Sequence, residues 1–311
     1  MKLKLNYDKQ TMKLQVSNAY EKYNPKFIWG NFLLQHIVHS GLFEVEYQQF
    51  PRFKNDVNAI PRCGELKTFI LNGNMCAIDA WDFSHPACHL TKEFLSNNSF
   101  YKDLKYIFKT QYSELHAAQY KRLKEECGIT VFPFFIFPRH HFEHCQFKWQ
   151  NQDHKHLAFF SGRIWKNRKA WHRHMLDQPE SFFSINHASS NYEIVHKSSN
   201  SVSEDNYISL MKNSKWGLIL KGKGECGKNR REVEYSSCGI PLALNYKPKY
   251  PFEFEPNKHY LYLEKPSDLE KLKTVDPKPY AESSMNLFKE YFNPEKVAYN
   301  LLKFYGHLFT K

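Results

Sequence analysis

From Leu157 to Asn245 the chain alternates short apolar runs with helix-like segments, and this alternation constrains its fold more than any other feature. "LAFFSG", "SFFSI", "WGLILKG" and "IPLALN" have the length and composition of strands. Between them lie "KNRKAWHRHML", residues 204–213 and "NRREVEYSSC", which read as helices. Strands that alternate with helices return over them and pair in parallel, as βαβ units. Ser203 is the expected N-cap of the helix over 204–213, with Glu204 and Asp205 favourable in its first turn.

The first half carries a looser version of the same pattern. "KLKLNY" reads as a strand, "PKFIWGNFLLQHIVH" as a helix with Pro25 at its start and Gly41 beyond its end, and "LFEVEYQ" as a strand. "LKTFILNGNMCAIDAW" places two apolar runs around Asn72-Gly73, a strong hairpin signal. "SELHAAQYKRLKEECG" is a helix stopped by Gly128, and "TVFPFFIF" a buried strand. The stretch "FKWQNQDHKH", residues 147–156, is polar without apolar periodicity and is taken as the boundary. The expectation is an α/β protein with two Rossmann-like domains facing a central cleft. Residues 1–150 would form the first, residues 151–290 the second, and residues 291–311 a helix packing back on both. In that last segment Asn293 is the expected cap, Pro294 the first helical residue, and Val297, Leu301, Phe304 and Leu308 the apolar stripe.

A length of 311 residues and a hydrophobic content of 41% suit two packed domains. The net charge of +12 implies attraction to anionic ligands, although the basic residues are spread along the chain and read mostly as a solvated face. The seven cysteines include no CxxC pair, which argues for free thiols in a reducing compartment. "MKLKLNYDKQ" lacks the apolar core of a signal peptide, and no apolar run reaches the roughly 18 residues of a membrane span. A soluble, cytoplasmic protein is expected.

Phosphate chemistry is suggested by "LILKGKGECGKNRREVEYSSCGIPLAL", residues 218–244. Gly222, Gly224 and Gly227 spell GxGxxG, while Gly222, Gly227 and Lys228 spell GxxxxGK. The P-loop reading fails at Asn229, where a magnesium-holding Ser or Thr is required. The dinucleotide reading fails at Asn245, where an acidic residue should hold the ribose. Both patterns share one physical element, a strand entering a glycine turn and leaving as a helix whose N-terminus attracts phosphate. Lys221, Lys223, Lys228, Arg230 and Arg231 surround that turn. Glu234 follows Arg231 by three residues and shares its helix face, either as a surface ion pair or as a grip on a diphosphate and a sugar hydroxyl. The upstream glycines favour the ligand.

The segment "GLILKGKG…NRREVEYSSCGIPLAL" resembles the donor-binding signature of exostosin-type glycosyltransferases through Arg231, Glu234, Gly239, Ile240 and Pro241, with Cys238 one position out of order. "AFFSGRIWKNRKAW", with Gly162, Arg163 and Arg168, resembles the donor-domain turn of exostosin-like and CAP10-type protein O-glucosyltransferase-like enzymes. "AIDAWDFSHP" resembles the strand end where the O-glucosyltransferase group carries its catalytic aspartate. Asp82 falls at that aspartate, Asp79 at an asparagine, and Ser84 at the usual proline. The chain is also similar to short soluble glycosyltransferases of large DNA viruses.

This resemblance implies a GT-B glycosyltransferase that moves a sugar from a nucleotide donor to a glycan or glycoprotein hydroxyl. UDP-xylose or UDP-glucose is the favoured donor, with GDP-fucose as the alternative. It implies donor contacts from Gly162, Arg163, Arg168, Lys221, Gly222, Gly224, Arg230, Arg231 and Glu234, and a catalytic base at Asp82 or Asp79. Either aspartate could instead cap the turn that follows. No two aspartates are spaced as DxD, so a metal-independent transfer without cofactor is expected; the resemblance favours inversion, although the GT-B fold supports retention as well. His140, His141, His144 and Cys145, like Cys76, His85, Cys88 and His89, lack the paired spacing of a structural zinc site. The competing class is a basic nucleic-acid-binding protein, for which no RNP, zinc-finger or helix-turn-helix pattern is present.

Overall fold

The computed structural model describes residues 12–22, 30–50, 66–80, 102–136, 148–162, 168–177, 182–185, 204–221 and 228–310. Its first half contains β1 (Lys13–Ser17), α1 (Gly30–Val38), β2 (Glu44–Gln48), β3 (Leu66–Leu71), β4 (Asn74–Asp79), β5 (Leu104–Lys109), α2 (Ala117–Cys127) and β6 (Thr130–Pro133). The strands form one six-stranded sheet in the order β2-β1-β3-β4-β5-β6. Its pairs are parallel except where β3 runs antiparallel to β1 and β4. The β3–β4 turn has Asn72 at φ 49° and Gly73 at φ 76°. Both are left-handed, as a two-residue type I′ hairpin requires, and Asn with Gly is the pair that tolerates it at least cost. Gly128 stops α2 in the same way, at φ 72°.

The second half contains β7 (His156–Gly162), α3 (Lys169–Leu176), β8 (Phe182–Ile185), α4 (Glu204–Lys212), β9 (Ser214–Ile219), α5 (Arg230–Ser237), β10 (Leu242–Leu244) and β11 (Leu261–Tyr262). These strands form a five-stranded, all-parallel sheet in the order β11-β10-β9-β7-β8. The chain lays β8 on one side of β7, then crosses back to add β9, β10 and β11 on the other. The winding therefore reverses between β7 and β9, the place where connecting loops diverge and open a crevice beyond the strands' C-terminal ends.

Helices α6 (Lys271–Thr274), α7 (Lys278–Leu287) and α8 (Val297–Tyr305) complete the chain. The Asn293 side chain accepts from the Glu295 amide at 3.0 Å and starts the turn that leads into α8. α8 packs on α1, burying Val297 and Leu301, while Phe304 and Leu308 are partly buried. The Tyr305 hydroxyl donates to the Pro133 carbonyl, and Asn72 Nδ2 donates to the Phe309 carbonyl at 2.7 Å. The chain thus leaves the second sheet and finishes on the first.

Between the sheets, "FKWQNQDHKH" carries an anchor that its polar composition hides. Trp149 is buried, its amide donates to the Cys238 carbonyl at 2.8 Å, and its Nε1 donates to the Ser214 carbonyl at 3.3 Å. An apolar cluster containing Phe108, Phe134 and Phe135 of the first half and Tyr250, Phe252 and Phe292 of the second joins the two. The rings of Phe135 and Phe252 stack with centroids 6.2 Å apart. No helix among the described residues is long and apolar enough to cross a membrane.

Candidate functional site

The winding reversal between β7 and β9 is built from residues that the sequence singles out. Gly162 ends β7, and a Cβ there would come within 3.0 Å of the Phe160 ring and 3.2 Å of an Arg168 guanidinium nitrogen. Glycine therefore lets that guanidinium lie against the strand end. Arg168 is only 4% exposed, and its cation faces the Phe160 ring at 5.5 Å. Its Nε donates to the Lys221 carbonyl at 2.7 Å and its Nη2 to the Leu220 carbonyl. Expected as a donor contact, Arg168 straps the exit of β7 to the exit of β9. The Lys221 amide in turn donates to Asn245 Oδ1 at 2.6 Å, which ties the exits of β9 and β10.

The N-terminus of α5 points back to this edge. Asn229 has extended backbone (φ −135°, ψ 133°), and its side chain accepts from the Arg231 amide at 3.1 Å. The Glu232 carboxylate reaches back to accept from the Asn229 amide at 2.6 Å, completing a capping box. Arg230 and Arg231 occupy the first turn, both half-buried. Glu234 is 1% exposed and accepts from the Tyr207 hydroxyl at 3.2 Å. It is not half of a solvated surface pair. Burial pushes the Tyr207 phenol well above its ordinary range, with Tyr235 and Glu234 adding to the shift and Arg231 opposing it.

Beneath α5 lies a charged layer that the sequence reading did not identify. Glu232 is fully buried and accepts from the hydroxyls of Tyr246 and, at 2.6 Å, Tyr250. Burial lifts its carboxyl to about 7, although both tyrosines, the Asn229 amide and Lys228 pull the other way. Lys228 is 3% exposed; its Nζ donates to the Phe134 carbonyl at 2.6 Å and sits 4.6 Å from the centre of the Tyr250 ring. Burial drives its ammonium well below the usual lysine range, with Glu232 opposing and Lys109 reinforcing the shift. The spacing Asn229-x-x-Glu232 was the signal available for this layer, since N-x-x-E before a helix is a capping pattern.

The first sheet presents its own C-terminal edge to α5, because the Lys228 amide donates to Gln111 Oε1 at 3.0 Å, two residues past β5. Asp79, at the end of β4, is completely buried and pairs with the buried Lys109 Nζ at 3.1 Å. Expected as a candidate base, it is instead the counter-charge of a lysine within the sheet. The other aspartate, Asp82, lies outside the described residues, as do Arg163, Gly222, Gly224, Ser203, Cys145 and the histidines at 85, 89, 140, 141 and 144. Cys76 is a buried β4 residue whose thiol burial pushes above its usual range.

Neither a known protein family nor a curated protein sequence matches the chain. Among solved structures it is similar to a GtfA/B complex, at 9% identity and a TM-score of 0.43 over 73% of this chain and 52% of that one. It is similar to the pneumococcal O-GlcNAc transferase GtfA in complex with UDP and GlcNAc, at 12% identity and a TM-score of 0.40 over 69% and 48% of the two chains. It is similar also to TarM, at 12% identity and a TM-score of 0.41 over 71% and 46%. The chain spans about half the length of these structures. Values this low transfer no activity to it, so the function is argued from the chain's own residues.

Proposed function

We propose that the chain is a nucleotide-sugar-dependent glycosyltransferase of GT-B type. One observation carries this reading: at the winding reversal of the second sheet, the eight-residue helix α5 presents its N-terminus with Arg230 and Arg231 in the first turn and Glu234 beside Tyr207. Guanidinium groups at the positive end of a helix suit a diphosphate, and a carboxylate one turn on suits a sugar hydroxyl. Gly162, Arg168 and Lys221 fix the strand ends at that reversal through their close approach and hydrogen bonds. Arg163, Gly222 and Gly224 join the donor contacts through the exostosin-like and CAP10-like resemblance, which also favours UDP-xylose or UDP-glucose over GDP-fucose and a glycan or glycoprotein acceptor.

In the proposed transfer, Asp82 removes the acceptor hydroxyl proton and the oxygen attacks the anomeric carbon from the face opposite the diphosphate. The anomeric C–O bond breaks with its electron pair passing to the diphosphate, and the configuration inverts. Charge growing on that leaving group is stabilised by the positive end of the α5 dipole and the two arginines, the work a divalent ion performs in DxD enzymes.

A thermal-shift panel of UDP, GDP, their sugars and an oligonucleotide tests the reading. UDP at about 100 times its dissociation constant should stabilise the protein by about 2.7 kcal/mol. Arg231→Ala and Glu234→Gln should each weaken UDP about tenfold or more, or about 1.4 kcal/mol. Asp82→Asn should abolish transfer and leave UDP binding intact. Salt-steep oligonucleotide binding with no effect of any nucleoside diphosphate would overturn the proposal in favour of a nucleic-acid binder.

A further inference from the structure

Lys228 stands among the basic residues expected to surround a phosphate, yet its ammonium faces the first sheet. Its Nζ is spent on the Phe134 carbonyl, one residue past the end of β6, and on the face of Tyr250. Its amide is spent on Gln111, just past β5. One residue therefore touches the C-terminal ends of two strands of the first sheet while standing immediately before α5, the helix that carries the second sheet's candidate site. Glu232 supplies the counter-charge one turn on, fixed by Asn229, Tyr246 and Tyr250.

The charges facing this pair come from every side. Lys109, itself paired with Asp79, faces Lys228 from β5. Tyr246, Tyr250 and Tyr260 face Glu232 from the segment after β10, and Arg168 faces Tyr246 from the start of α3. The two acids, Asp79 and Glu232, balance the two lysines. Glu232 opposes the burial penalty on the Lys228 ammonium, while the hydrogen bond to the Phe134 carbonyl holds it in place. The exposed pair Lys249–Glu114, at 3.4 Å, also links the two halves, but solvent screens it and it contributes little.

We propose that Lys228 is a positioning residue that pins the N-terminus of α5 to the C-terminal edge of the first sheet and so sets the gap between the two edges. It does not bind the diphosphate. It acts through α5, by deciding where Arg230, Arg231 and Glu234 stand relative to groups contributed by the first sheet. The pin follows from the hydrogen bonds alone; only its effect on nucleotide affinity rests on the function proposed above.

The test compares Glu232→Gln with Lys228→Met/Glu232→Gln by hydrogen exchange and by calorimetry with UDP. Lys228→Met alone strands the Glu232 carboxylate and is the variant prone to unfolding. The double variant replaces both charges with neutral groups of similar size and keeps the test readable. At equal thermal midpoints, amides 228–231 should exchange at least tenfold faster in the double variant than in Glu232→Gln, while amides of β9 and β10 stay unchanged. UDP should bind about tenfold more weakly in the double variant. Equal exchange at 228–231 in the two variants overturns the pin. Faster exchange with unchanged UDP affinity overturns its influence on the site. Absence of UDP binding in the unaltered protein overturns the proposed function instead, and the exchange comparison still decides the pin.

Discussion

Three hydrogen-bond donors and a lysine surround the Glu232 carboxyl, yet burial outweighs them and lifts it to about 7. In the unfolded chain the same group titrates near its ordinary 4.5. The folded state therefore holds this proton more tightly, and the resulting stabilisation is complete below about 4.5 and is lost as pH rises through about 7. Glu232→Gln removes that slope. Urea denaturation across pH 4.5–7 should show the unaltered protein losing up to about 3 kcal/mol relative to the variant. A constant difference across the window would mean that the carboxyl stays ionised in the fold. Lys228 works in the opposite sense: its depressed ammonium contributes most above the ordinary lysine value and loses that contribution as pH falls. Comparison with the single glutamine variant isolates the glutamate. At this scale the sequence told only part of the story. Arg231 and Glu234 were legible from their spacing on one helix face, whereas Tyr207, Tyr246 and Tyr250 reach α5 from residues far along the chain and carried no local signal.

Among the elements, α5 depends most on its cap. Asn229 satisfies the Arg231 amide, and without it the first turn loses that bond. Asn229→Ala should cost about 1 kcal/mol in denaturant titration and weaken UDP as well, and unchanged stability would show that the capping box is dispensable. Asn229 breaks the P-loop pattern because its work is to start a helix. The β3–β4 hairpin was readable because Asn72-Gly73 has few other uses, and β7 to β10 were readable because buried parallel strands are continuous apolar runs. β1 and β5 were not read. "KLQVS" is short, and "LKYIFK" places lysines at both ends of its apolar core, so neither stands out without its neighbours. Lys109 closes β5 as a fully buried cation beside the Asp79 carboxylate of the neighbouring strand.

Across the whole molecule, the C-terminal segment binds the halves together. Val297, Leu301, Tyr305 and Phe309 are all buried, on or beside the first half. Each such side chain contributes roughly 1.5–3 kcal/mol by leaving water, so removing residues 294–311 should forfeit a sum comparable with the stability of an entire domain. The truncated chain should lose cooperative unfolding of the first sheet and bind hydrophobic dyes. Retention of a sharp two-state transition would show that α8 is merely appended. The alternation of apolar runs and helices was enough to determine an α/β chain with a parallel second sheet, because strand and helix periodicities are local properties. Strand order is not local, and neither is the reversal between β7 and β9, the meeting of Lys228 with Phe134 and Gln111, nor the burial that turns Asp79 into a lysine's partner. Those were decided only when distant segments packed, since the cost of burying a charge depends on what the rest of the chain brings beside it.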